Sequence, residues 1–258
     1  QAFDGRSPSS TSAIEQLGTT DGLDAIADRM TSRAIYRRFD NSESLVMNYA
    51  VNVSGENPST KSTFQAAMRW YELTRATPSS AWTINQQSTY APGVISGATG
   101  VNRWMGSIGI DQKGNIAMGY SKSSSSAYPS INYAERKKTD PLNTLGTEQT
   151  LFAGTGSQTG SGNRWGDYTS IATDPSDEET LWYTNEYYAT ISSFNWKTRI
   201  GSFKVNDSPT SPTVHFKFGG TIARQVESTT LPSGTPNFPY KDYIITVKID
   251  QIPSQPVN

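Results

Sequence analysis

Cysteine is absent from this 258-residue chain, and histidine occurs once, at His215. The first absence removes disulfides, thiol nucleophiles and thiolate zinc sites, and the second removes metal centres that need two or three imidazoles. Neither excludes export from the cell. No apolar run approaches the roughly 18 residues that a membrane-spanning helix requires. Charge of one sign is also missing: 22 Lys and Arg stand against 23 Asp and Glu, and the basic residues are scattered. A footprint for the phosphate backbone is therefore not expected, and nucleic acid is not an expected partner. The chain opens on Gln1 rather than Met, which fits a processed or excised piece.

What remains is polar, rich in turn residues and rich in aromatics, with 21 Gly, 14 Pro, 13 Tyr and 6 Trp. That composition belongs to many short strands joined by tight turns. Few lysines beside many Ser, Thr, Asn and Tyr point to an extracellular or cell-surface location. Strand-like runs, alternating or rich in β-branched and aromatic residues, follow one another from residue 33 to residue 249. They include SLVMNYAVNV, QAAMRWYELT, NIAMGYS, LWYTNEYY and DYIITVKI. Before them, Leu23–Thr31 reads either as a brief helix or as irregular chain laid across a β core. Two polar stretches, SKSSSSAYPS from Ser121 and GTGSQTGSG from Gly154, read as a flexible loop and a flexible joint. The Gly-rich one lacks the Lys-Ser/Thr of a P-loop and the strand-to-helix setting of a dinucleotide site.

Three units align within this β-rich chain. Asp40, Asp111 and Asp174 each lead a turn, and Tyr49, Tyr120 and Tyr183 each follow nine residues later. The units start 71 and 63 residues apart, a period suited to a four-stranded blade with one generous loop. A carboxylate that bonds the turn's own backbone N–H groups explains each Asp. Calcium is the alternative, for which Asp174, Asp177 and Glu178 are the candidate ligands. Structural calcium is thus the one cofactor left open, and no other is expected. In two units the turn is preceded by Asn-Arg-Trp, at Asn102–Trp104 and Asn163–Trp165. The architectural reading is that Trp104 and Trp165 pack between blades, while Arg103 and Arg164 are engaged by aromatics or carboxylates. Asp167 is the expected partner of Arg164, and Glu72 that of Arg69.

The expected fold is therefore all-β: a partial β-propeller of about three four-stranded blades with a short β-rich C-terminal extension. Residues 1–22 form an N-terminal extended linker, 23–210 the blades, and 211–258 closing strands or the start of an appended β-sandwich module.

The runs LDAIADRMTSRAIYRRFDNSESLVMNYAV, RWMGSIGIDQKGNIAMGYS and NRWGDYTSIATDPSDEETLWYTNEYY resemble a family of large secreted microbial surface proteins. These carry sialidase-like or Asp-box-like β-propeller repeats of unknown activity, and the likeness spans residues 12 to 206. It implies further repeats upstream, making this chain the C-terminal part of a propeller. Three blades cannot close a ring, so the resemblance implies a partner: an N-terminal fragment, or copies of this chain covering the exposed blades.

Two functions follow from it. One is a non-catalytic surface, matrix or adhesion module that assembles with other chains, with surface glycans as a further partner. The other is a sialidase-like glycoside hydrolase acting on anionic sugars, which needs an arginine cluster, a Tyr activated by Glu and an Asp acid/base. No catalytic residue of that family maps onto this sequence. The groups able to bind a ligand in either case are Arg69, Arg103, Arg164, Asp167, Tyr168, Glu186 and Tyr187.

Overall fold

The computed structural model describes residues 12–54, 64–76, 78–93 and 100–205, with the backbone of three further strands at 213–217, 225–226 and 244–248. The fold is all-β, and no α-helix occurs among the described residues. Alternating side chains produce three sheets in sequence order, antiparallel except for one short pair of strands at the edge of the third. The first is built from β1 (Ile35–Arg38), β2 (Glu43–Asn52), β3 (Ala66–Arg75) and β4 (Thr83–Tyr90), each beside the next. The second repeats that plan with β5 (Asn102–Ile110), β6 (Ile116–Ser124), β7 (Ala127–Arg136) and β8 (Gln149–Phe152). The third begins with β9 (Ser170–Thr173), β10 (Leu181–Tyr188) and β11 (Trp196–Phe203). It continues through β12 (Thr213–Lys217), β14 (Ile244–Lys248) and β13 (Gln225–Val226), with β12 joined to β11 through the single pair Ser202↔Thr213.

The Asp turns occupy the same place in the second and third sheets, leading into β6 and β10. Asp111 Oδ1 accepts the N–H groups of Lys113 and Asn115, both at 2.8 Å, and Gly114 takes a φ of +84° to close the turn. Asp174 Oδ1 accepts from Ser176, while its Oδ2 accepts the indole N–H of Trp182 at 2.8 Å. The Tyr that ends each unit is buried in all three sheets.

Successive sheets stack face to face through equivalent positions. Val46, Met68 and Trp70 of the first sheet share a buried cluster with Ile108, Ile110, Ile116, Met118 and Tyr120 of the second. Ala117, Ile131, Tyr133 and Leu151 of the second share another with Ile171, Leu181, Tyr183 and Phe203 of the third. Close approach is made possible by glycine on one side of each junction. A Cβ on Gly106 would lie 2.2 Å from Asn48 Nδ2, and one on Gly119 would lie 2.5 Å from the Tyr183 ring.

Leu23–Thr31 contains no helix and runs irregularly across the sheets, burying Leu23, Ala25 and Ala27 with Trp104, Met105, Trp165 and Tyr188. Within the segment expected to be an extended linker, residues 12–22 also have a place in the core. Ala13 and Ile14 are buried, and Ile14 pairs with Leu23. The two polar stretches are structured rather than flexible. Ser121 and Ser123 are buried in β6, which turns directly into β7. In the Gly-rich joint, Gln158 exchanges hydrogen bonds with Gln16: its N–H donates to Gln16 Oε1 at 2.9 Å, and its carbonyl accepts from Gln16 Nε2 at 3.0 Å. A buried polar backbone needs such partners, and a residue 142 positions away supplies them here.

Candidate ligand cavity

The two Asn-Arg-Trp segments begin alike and then diverge. In both, the residue after Trp enters the left-handed region: Met105 has a φ of +50° and Gly166 one of +53°. In the second sheet, β5 continues through its Asn-Arg-Trp, pairing Asn102 with Ser123, Arg103 with Lys122 and Trp104 with Ser121. In the third, the pairing of β9 with β10 stops at Ser170↔Thr184, and residues 163–169 peel away. Gly166 then donates its N–H to Glu186 Oε2 at 2.9 Å instead of to a strand partner. Glycine suits that turn, since a Cβ there would approach Asn185 Oδ1 to 2.8 Å, a contact that a side chain like Met105 at the equivalent position would have to displace.

The peeled segment leaves a cavity of about 450 Å³ between residues 162–169, the end of β10 and the start of β11. Arg164, Asp167, Tyr168 and Glu186 line it, together with Phe194 and Trp196. Three of these are aromatic and open to solvent: Tyr168 is 91% exposed, Phe194 75% and Trp196 56%. Trp196 stands directly opposite Tyr188 in the β10–β11 pair, so both rings belong to the face that bounds the cavity.

Charge in the cavity is largely neutralised. Arg164 forms an ion pair with Asp167 Oδ2, as its sequence neighbourhood indicated. Asp167 Oδ1 is buried without a hydrogen-bond partner. Burial raises the Glu186 carboxyl to about 7, against the lesser opposing effect of the Gly166 N–H. Near neutral pH it therefore passes between a hydrogen-bond donor and an anion.

The remaining candidates lie elsewhere. Tyr187 points to the opposite face of β10, where it meets Phe152 edge to face at 4.4 Å and Arg199 at 5.6 Å. Arg103 is buried and paired with Glu148 at 2.6 Å, and its guanidinium lies 6.0 Å from the Tyr90 ring centroid. Arg69 donates to Thr89 and Gln87 and covers the Tyr71 ring at 4.8 Å. The expected pairing of Arg69 with Glu72 does not form. Glu72 points to the other side of β3, where it accepts from Ser44, Asn85 and Gln86.

The acidic turn proposed for calcium is knitted to protein groups. Asp177 accepts from Thr180 and Glu179 and pairs with Lys204 at 2.9 Å, while Glu178 pairs with Arg37. Among the described residues, no group of three or more His, Asp and Glu is arranged to hold a metal ion.

Sequence reasoning missed Phe194 and Trp196. Both sit in a polar stretch, SSFNWKT, where an apolar ring has no alternating companions to announce it. Compared with known proteins, the chain matches no protein-family model and no curated protein.

Proposed function

We propose that this chain is a non-catalytic extracellular surface or adhesion module. In this reading its three sheets are consecutive blades of a β-propeller-type stack, and the cavity of the third sheet binds a neutral oligosaccharide. Support for the blades comes from three antiparallel units in sequence order, each entered from its first strand and stacked face to face. Support for the ligand comes from one observation: Tyr168, Phe194 and Trp196 present solvent-open rings around a single concave site.

Such rings stack on the C–H faces of sugars, while the Glu186 carboxyl addresses hydroxyl groups at the edge. An anionic sugar is disfavoured because the guanidinium of Arg164 already has its counter-ion. Titration calorimetry with a panel of neutral and sialylated oligosaccharides tests this. Binding of a neutral member that weakens in Trp196→Ala supports it, whereas no binding by any member refutes it.

A glycoside hydrolase is the second reading. It is favoured by a carboxyl near 7 at Glu186 sharing a cavity with Asp167. Against it, Arg69 and Arg103 lie in other sheets and do not join Arg164 at the cavity. Release of reducing sugar by the wild-type chain, abolished in Glu186→Gln, would favour hydrolysis over binding.

A further inference from the structure

Where a chain leaves a sheet, its backbone N–H and C=O groups lose their ladder partners and must find others. Residues 163–169 have left the third sheet in this way, since the pairing of β9 with β10 ends at Ser170↔Thr184. Three successive carbonyls at the start of this cavity wall are nonetheless paired. Those of Gly162 and Arg164 accept from Gln158 Nε2, at 2.7 and 3.0 Å, and that of Asn163 accepts the N–H of Asp24 at 2.7 Å. Just before them, the Gly160 N–H donates to Asp21 Oδ2 at 2.7 Å. Residues 12–24 thus reach the wall directly, through Asp21 and Asp24, and indirectly, through Gln158.

Gln158 stands at the centre of this arrangement and itself lines the cavity. Beyond its two bonds to the wall, its Oε1 accepts the Tyr188 hydroxyl at 3.0 Å. Its main chain is held from the other side by Gln16, whose Oε1 accepts the Gln158 N–H and whose Nε2 donates to the Gln158 carbonyl. Gln16 Nε2 also donates to the Asp21 carbonyl at 3.1 Å, and Ser157 Oγ donates to the Leu17 carbonyl at 2.8 Å. Both glutamine side chains are buried, and each makes three hydrogen bonds, two as donor and one as acceptor. Neither a carboxylate nor a thioether of the same length offers two donors.

We infer that Gln16 and Gln158 are positioning residues of the cavity: through them residues 12–24 act as a strap that holds its wall, so that occupancy of the cavity and docking of the strap are coupled. Gln16 does not line the cavity, so its influence on a bound molecule passes through Gln158 and the wall. Such coupling is reciprocal. A molecule that fixes the wall also stabilises the strap, and a loosened strap weakens binding. Coupling to a ligand rests on the saccharide reading, whereas the holding of the wall does not.

Amide hydrogen exchange, resolved by residue in NMR spectra, tests the wall with no ligand present. The reporters are the N–H groups of Asp24 and Gly166, which donate to the Asn163 carbonyl and to Glu186 Oε2. In Gln16→Met and Gln158→Glu, exchange at both should quicken about tenfold or more. Asp21→Ala, at a partly exposed position that spares the core, should quicken it at Asp24, and Asp21→Asn, which keeps an acceptor oxygen, should restore the wild-type rate. Val46→Ala, which opens space between the first two sheets, should leave both reporters unchanged. Circular dichroism establishes that each variant is folded.

Calorimetry with cellohexaose, maltohexaose and chitohexaose then tests the coupling. A probe bound by wild type should bind about tenfold or more weakly to Gln16→Met and equally to Val46→Ala. The same probe should slow exchange at Asp24 in the wild type. Unchanged exchange in the strap variants overturns the inference, as does faster exchange shared by Val46→Ala. Faster exchange with undiminished binding overturns the coupling. If wild type binds no probe, the saccharide reading fails, and the exchange rates alone decide whether the strap holds the wall.

Discussion

The indole N–H of Trp165 donates to Ser121 Oγ at 3.0 Å, joining the marker residue of the third repeat to the middle strand of the second. Asn185 donates to the same hydroxyl at 3.0 Å, and the Trp165 ring stacks on Tyr188 at 5.4 Å. The repeated Asn-Arg-Trp is thus a seam between sheets. Trp165→Ala should cost about 3–5 kcal/mol in equilibrium unfolding, the usual range for deleting a buried indole. Ser121→Ala should cost about 1–3 kcal/mol, because it strands two buried donors.

Gly119 marks the same seam nearer the turn. Its Cβ position lies 2.5 Å from the Tyr183 ring, which is fully buried and cannot swing aside. Gly119→Ala is therefore expected to destabilise by about 1–3 kcal/mol despite its better strand propensity. The double change Gly119→Ala with Tyr183→Phe should recover little, because the clash is with ring carbons. A neutral Gly119→Ala in denaturant titration would show that the two sheets are not held at this spacing.

Glu148 gathers Arg103, Lys122 and the hydroxyl of Tyr120 around one carboxylate. Burial alone would raise its pKa, yet the hydrogen bonds from Arg103 and Lys122 outweigh it and hold the carboxyl below the ordinary glutamate range. A lowered folded-state value means that the stabilisation is present above the unfolded pKa and is lost as pH falls through the folded one. Glu148→Ala should cost about 3–5 kcal/mol at pH 7, since it leaves the buried Arg103 unpaired. Its penalty should shrink in acid, where the wild type loses the same charge. Urea midpoints at pH 7 and at pH 3 check both statements.

Glu186 carries the opposite sign. Its carboxyl is raised to about 7, so its protonated form is favoured by folding. The associated stability is complete below the ordinary glutamate value and declines as pH rises through 7. Glu135 is raised to about 7 as well, which makes the difference from a variant the informative quantity. Glu186→Gln should lie close to wild type at pH 5 and be the more stable of the two at pH 8, as read from paired thermal midpoints. A gap that does not grow with pH would contradict this assignment.

Much of the β framework was legible because alternation survives in each run. The run LWYTNEYY coincides with β10, and the Asp-to-Tyr spacing marks the strand after each turn. The strand β8 was not legible, because four residues of QTLF carry too little pattern to stand out from a loop. The Gly-rich joint misled for a different reason. Its order comes from Gln16 and Tyr188, which bond Gln158 from distant parts of the chain, and local composition holds no trace of such partners. The site was half visible: Arg164, Asp167, Tyr168 and Glu186 do meet, while Tyr187 is turned away by the same strand alternation that places Glu186. The cavity itself arises because β9 stops pairing at Ser170, a tertiary event with no signature in the repeat.

Titration calorimetry of the intact chain with neutral oligosaccharides, repeated on Trp196→Ala, bears most directly on the saccharide site. The expected result is one binding site per chain, weakened about tenfold or more by the substitution, or about 1.4 kcal/mol, with the fold unchanged by circular dichroism. Equal binding by wild type and Trp196→Ala, or binding confined to sialylated sugars, would contradict it.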